Sequence, residues 1–381
     1  QPFYPRVMNF NTELMTMNSP VTDVDDLWLA VESNYDWAFQ QYEPTTEAGF
    51  RQQVTDHFAK IASMGFNTVR LGLPALMHWD AINGPRHYSV AYLRYVQWEK
   101  RLLELDMNGF NDAASLRHFA ILRDVIQLAD AAGLKVILLC AQSTSTPGTN
   151  HIQLFPTTDL QAAQDYASYL RRLAEELKDE PGLLAYDLWN EPIWTNLAMT
   201  YVSKSTVCEY TTMWYDAIRE AGDVHLVTLG GIAISELGSW DPAIMKLDFY
   251  SPHIYPEFTQ LDGYNVQAGF DRYLAKIHWQ SRTCPIPWLI GETGFAAEDD
   301  DYDPKYLANP NDPPYLIPYL YTHRLPYMHG SEAQQAEFFT NSMDAVRENL
   351  GSGYSWWGFQ NGRNHRLFPA EDFEPGNTDH R

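Results

Sequence analysis

Apolar residues along this chain follow two rhythms. Short apolar runs recur, and between them lie stretches whose apolar positions are three or four apart. The short runs read as buried strands: Arg6 to Phe10, Phe66 to Leu71, Lys135 to Ala141, Leu183 to Leu188, His225 to Leu229, Leu247 to His253, Pro287 to Ile290 and Gly353 to Trp357. The longer stretches read as helices. Thr46 to Met64 sets Phe50, Val54, Phe58 and Ile61 at helical spacing and ends at Gly65. Asp112 caps a helix over Ala113 to Ala132, which Gly133 closes. Further helices are expected from Thr158 or Asp159 to Leu177, Ser205 to Ala221, near Pro242, Val266 to Ser281 and Ser331 to Leu350.

Four segments break the alternation. The stretch from the first strand to Pro44 reads as a long polar and aromatic loop with one short helix. The insertion that ends near Asp112 carries a helical patch from Tyr92 to Leu105. Residues 293–330 form an acidic loop rich in Pro and Tyr, expected over the active-site face. Asn361 to Arg381 is a polar tail with no convincing eighth helix. That last helix is therefore short or missing, or the natural chain continues. Eight strands alternating with helices in one domain over residues 1–381 predict an α/β fold, a closed (β/α)₈ TIM barrel with long βα loops.

Composition narrows the partners. The 381 residues carry a formal net charge of -23. This argues against nucleic acid and anionic membrane surfaces and fits a solvated acidic surface around a neutral partner. Cys140, Cys208 and Cys284 are too few for a disulfide framework, and their spacing matches no zinc motif. Cys140 reads as a small core residue, and a Cys208–Cys284 bridge is left open. No run of about twenty apolar residues suggests a membrane span. The chain starts at Gln1, so a leader or tag has been removed; the expected location is secreted, cell-surface or periplasmic. Nothing in the sequence fixes an oligomeric state.

The chemistry gathers where strands end. Glu191, in Trp189-Asn190-Glu191-Pro192, follows the fourth strand, and Glu292, in Gly291-Glu292-Thr293-Gly294, follows the seventh. Carboxylates at the C-terminal ends of barrel strands share one face. Two of them are what a retaining glycosidase needs, one as acid/base and one as nucleophile, about 5 Å apart. Arg70 at the end of the second strand and Tyr255 at the end of the sixth would keep the nucleophile ionised. Asn190 would hold a sugar 2-hydroxyl, His253 lines the cleft, and Trp357 offers a flat face to a sugar ring. Trp356 and Trp357 are adjacent on a strand and face opposite sides, which puts Trp356 in the core. Trp194 serves either as a sugar platform or as packing. The acidic run 298–303 reads as a solvated loop before it reads as a calcium site. No phosphate loop, His-Glu-x-x-His pattern or Gly-x-Ser-x-Gly elbow is present.

Taken together these motifs resemble clan A retaining glycoside hydrolases, most closely family 5, the cellulase-like family. The resemblance rests on Asn67-Thr68-Val69-Arg70, the two glutamate motifs about a hundred residues apart, His253-Ile254-Tyr255 and Trp356-Trp357, in that order. It covers residues 46 to 360. It implies retention of configuration, a β-glucan or β-mannan substrate with a lean toward endo action, and no metal or other cofactor. One departure is the end of the third strand, Leu139-Cys140-Ala141-Gln142, where the family usually has a histidine. Gln142 takes that place, or His151 reaches in. Exo action on oligosaccharides, a non-catalytic carbohydrate-binding barrel and a transglycosylase remain the alternatives.

Overall fold

The computed structural model describes residues 3–16, 27–31, 47–72, 77–79, 87–94, 99–141, 160–191, 204–231, 245–256, 266–298 and 329–358. The expected elements near Pro242, the acidic run beyond Glu298 and the tail from Asn361 lie outside the described residues.

Strands β1 (Arg6–Thr16), β3 (Thr68–Gly72), β7 (Lys135–Leu139), β8 (Leu183–Asp187) and β9 (Leu226–Thr228) pair in that order, all parallel. On the other flank β12 (Tyr354–Trp356) pairs with β1, also parallel. Parallel bridges link the two ends: Gly230 to Ser251, Tyr250 to Trp288 and Ile290 to Tyr354. The ring therefore closes through eight strand positions, the sixth and seventh made by the chain around 250–253 and 288–292. This is the TIM barrel that the alternation predicts.

Inside it, Val7, Ile137, Ala185, Phe249 and Leu289 pack as an apolar plug from five strands. Side chains alternate along a strand, so two residues further up β1 and β8 the same face carries Asn9 and Asp187. The polar layer stands directly on the apolar one.

The helices α1 (Glu47–Ser63), α2 (Ala113–Ala131), α3 (Leu160–Leu177), α4 (Lys204–Glu220), α5 (Val266–Thr283) and α6 (Glu332–Glu348) fall close to their predicted positions. Asp112 caps α2 as expected, its carboxylate accepting from the Ser115 N–H at 3.1 Å, and Gly133 ends it at φ +80°. Behind β8 the aromatics of α3 and α4 interlock. Tyr166 packs on Tyr169, Trp189 and Trp214, and its hydroxyl donates to the Leu188 carbonyl at 2.5 Å. That bond fixes the backbone three residues before Glu191.

Two expectations are corrected. The first strand does not stop at Phe10. It runs to Thr16, and its upper half pairs antiparallel with β2 (Leu27–Val31) inside the stretch read as loop and helix. The predicted helical patch at Tyr92 to Leu105 is the β5 (His87–Arg94) and β6 (Glu99–Glu104) hairpin, joined by β4 (Met77–Trp79). Tyr88, Val90 and Tyr92 favour extended chain, and pairing of β5 with distant β1 overrides the local apolar spacing. Past Glu292, β10 (Ala296–Glu298) pairs parallel with β11 (His329–Ser331), pinning together the two ends of the acidic loop. All three cysteines are free thiols, so the Cys208–Cys284 bridge is not formed.

Candidate active site

Arg70 is the hub of the polar layer. It is 3% exposed, and its guanidinium reaches side chains from the first, fourth and seventh barrel strands. Nε donates to Asp187 Oδ2 at 2.7 Å, one terminal nitrogen to Glu292 Oε1 at 2.6 Å and Asn9 Oδ1 at 3.1 Å, the other to Asn190 Oδ1 at 2.8 Å. Burial opposes the charge, yet Asp187 and Glu292 beside it raise its pKa above the ordinary arginine value. Asn9 in turn donates to Ser355 Oγ at 2.8 Å and to the Trp356 carbonyl at 3.1 Å, tying the first, second and eighth barrel strands together.

Glu292 is held on both oxygens. Besides Arg70 on Oε1, Tyr255 donates to Oε2 at 2.9 Å, and His253 Nδ1 lies 3.3 Å from the same oxygen. Glu191 has a different setting. Its side chain keeps 29% of its surface, and its Oε1 lies 2.9 Å from the same His253 Nδ1. Burial pushes both carboxyls above their usual pKa. At Glu191 only Arg70 pulls back; at Glu292 His253, Arg70 and the Tyr255 hydrogen bond all do, against the charge of Glu191. Burial pushes His253 down to about 4, so the ring is neutral at pH 7. With Glu292 ionised, its single proton belongs on Nδ1, facing the two carboxylates. Its buried Nε2 has no partner among the described residues.

The backbone is also specialised here. Glu191 sits at φ 46°, the left-handed region that costs a residue with a Cβ about 1–3 kcal/mol. Gly231 packs against it: a Cβ added there would come within 2.5 Å of the Glu191 Cα, and its own φ is +86°. A Cβ on Gly230 would meet Asp187 Oδ2 at 2.6 Å, where the Gly230 N–H now donates to Oδ1 at 2.8 Å. A Cβ on Gly291 would meet Ser251 Oγ at 2.2 Å. Glycine is the residue that fits all three positions.

The structure brings together six of the predicted residues: Arg70, Asn190, Glu191, His253, Tyr255 and Glu292. Trp357 stands at the rim, 42% exposed, while Trp356 is half-buried and packs edge-on against Phe339. Gln142, His151 and Trp194 lie outside the described residues. Sequence reasoning missed Asn9, Asp187 and the glycines at 230 and 231. The available signal was polarity inside apolar strands: Asn9 between Met8 and Phe10, and Asp187 between Tyr186 and Leu188. A buried carboxylate demands a partner.

A carboxylate oxygen from each glutamate and a His253 nitrogen lie within 4.8 Å of one another, the one grouping of metal-ligand type among the described residues. Arg70 and Tyr255 already occupy both oxygens of Glu292, so a cation there would compete with the guanidinium. No helix among the described residues is long and apolar enough to cross a membrane.

Comparison with solved structures shows the same fold. The exo-beta-1,4-mannosidase Op5Man5 from Opitutaceae bacterium strain TAV5 aligns with a TM-score of 0.56 at 16% identity, over 94% of this chain and 52% of that one. A beta-glucuronidase from Ruminococcus gnavus aligns with a TM-score of 0.51 at 12% identity, over 94% of this chain and 44% of that one. The chain thus spans about half the length of either protein. A search of curated proteins finds no match. The family model for cellulase (glycosyl hydrolase family 5) matches residues 32–313. That match runs from the first βα connection to beyond the seventh strand and contains both glutamates, so the chain belongs to glycosyl hydrolase family 5.

Proposed function

We propose that the chain cleaves β-linked glycans, of β-glucan or β-mannan type, with retention of configuration. Glu191 is the acid/base and Glu292 the nucleophile. The observation that carries the reading is the pair of donors on Glu292, Arg70 and Tyr255, with an oxygen of Glu191 within 4.8 Å of one of its own. That spacing suits the ~5–5.5 Å of retaining enzymes and not the ~6.5–9.5 Å that leaves room for a water in inverting ones.

Two steps follow. In the first, a Glu292 oxygen forms a bond to the anomeric carbon while the glycosidic C–O bond breaks, and the departing oxygen takes the proton of Glu191. In the second, water attacks the anomeric carbon and gives a proton to Glu191. The bond to Glu292 breaks, and both carboxyls return to their starting states. In the first step Glu292 must be ionised, which Arg70 and Tyr255 favour. Glu191 must hold a proton, which burial favours. Once Glu292 is esterified its negative charge is gone, so the pKa of Glu191 falls and it becomes a base. Asn190 spends its carbonyl oxygen on Arg70, which leaves its amide N–H groups to donate to the sugar.

The test follows the first product anomer by NMR during hydrolysis of an aryl β-glycoside, with Glu292→Ala beside the wild type. The expected result is a β-anomer first and loss of turnover in the variant, with its melting transition retained. An α-anomer first, or a variant as fast as the wild type, overturns the assignment.

A further inference from the structure

The first barrel strand supports more than the barrel. Asn9 pairs with Arg70 at the level of the candidate site, and Asn11 with Gly72 at the rim. Above the rim β1 continues unbroken. Thr12 to Thr16 pair with β2, and Leu14 to Thr16 pair with β5, which pairs with β6 from Ser89–Glu104 to Arg94–Glu99. A second sheet therefore stands on the end of the first barrel strand, built in part from the chain that follows the second. Five residues of β1 give it a height of about 16 Å, and β2, β1, β5 and β6 side by side give it a width of about 14 Å. Its edge strand β2 lies against α1, so it is braced from outside the ring.

This sheet stands on a particular side of the chemistry. Glu191 follows the fourth barrel strand, three strands round the ring from β1. The oxygen that Glu191 protonates belongs to the departing sugar, so the departing part of the substrate lies on the side of the fourth strand. The sugar that stays on Glu292 extends the other way, toward Arg70, Asn9 and Trp357, and so toward the rim where the second sheet rises. An enzyme that cuts inside a chain needs both rims open. Here the rim beyond the retained sugar carries a hydrogen-bonded wall.

The geometry points to exo action: the site takes the non-reducing end of a β-linked chain, and the β1–β2–β5–β6 sheet stops further sugars from extending past it. This inference rests on Glu191 being the acid, because that choice decides which side the wall closes. It runs against the lean toward endo action that the family resemblance implies.

The test uses the whole protein. Its substrates are β-1,4-linked gluco- and manno-oligosaccharides of two to six sugars, tagged at the reducing end. A parallel set carries a methyl group on the terminal 4-hydroxyl of the non-reducing end. An aryl β-monoglycoside reports the chemistry alone. Exo action gives a ladder of tagged products that shorten stepwise from the far end, and the methylated set is cleaved at least tenfold more slowly. Tagged fragments from the middle of the chain at the outset, or equal rates on both sets, overturn the wall while leaving Glu191 and Glu292 untouched. Absence of cleavage of every substrate, the aryl glycoside included, overturns the assignment of the acid and the inference with it.

Discussion

Glu191 and Glu292 are the same residue at the same kind of place, the C-terminal end of a barrel strand, and both lie beside His253 Nδ1, yet they are held differently. Glu292 is inside the network. Its side chain is 5% exposed, and Arg70 and Tyr255 donate to its two oxygens. Glu191 stands at the edge, 29% exposed, on a left-handed backbone, with His253 beside one oxygen. A group surrounded by donors is stabilised as an anion. A carboxyl at which burial outweighs the pull of a nearby cation is stabilised as a neutral acid. On the proposed assignment, environment and not residue type divides the labour.

The most demanding test of this contrast varies the leaving group. Glu292→Ala should lose turnover by a factor on the order of 10⁴ or more on every substrate, because no bond to the anomeric carbon can form. Glu191→Ala should lose about 10²–10⁴ on an unactivated glycoside. On an aryl glycoside whose phenol leaves without a proton, its bond-breaking step should be close to wild type. Burst kinetics with such a substrate measure this, and equal losses in both variants on both substrates would erase the distinction.

Stability should divide the same way. Arg70→Met leaves Asp187 and Glu292 buried without their cation, at a cost of about 3–5 kcal/mol in urea unfolding. Glu191→Gln should change stability by less than about 1 kcal/mol, since the amide keeps the shape and the neutral form that burial already favours. A smaller effect comes from Tyr255→Phe. It removes a hydrogen bond to an anion, worth about 1.5–3 kcal/mol. That bond lowers the pKa of Glu292, so its loss raises it. The acidic limb of kcat/KM should then move to higher pH while the basic limb, set by Glu191, stays. Movement of the basic limb alone would reverse the roles. Gly231→Ala acts through the backbone: its Cβ would press on the Glu191 Cα and strain its own φ by about 1–3 kcal/mol. Turnover on unactivated glycosides should fall about tenfold, with the aryl substrate much less affected.

What was legible in the sequence was local or modular. Trp189-Asn190-Glu191-Pro192 and Gly291-Glu292 announce themselves by following apolar runs, and Arg70 and Tyr255 by ending them. What was hidden depends on partners far away. Asn9 contacts residues 61 and 346 positions on, and Asp187 acquires meaning only beside Arg70, 117 positions back. The second sheet was hidden for the same reason, since β5 is extended because β1 lies beside it. Gly231 shows its purpose only when the Glu191 backbone is seen against it.

The short parallel ladder between Ala296–Glu298 and His329–Ser331 has a bearing on how such enzymes are remodelled. It brings the chain that leaves after Glu292 back to its starting point before α6 begins. The two ends of the segment 299–328 therefore meet at one place beside the barrel. Loop-closure entropy grows slowly, by about 0.6 kcal/mol per doubling of length. Closing segments of quite different lengths between Glu298 and His329 should therefore differ little in entropic cost.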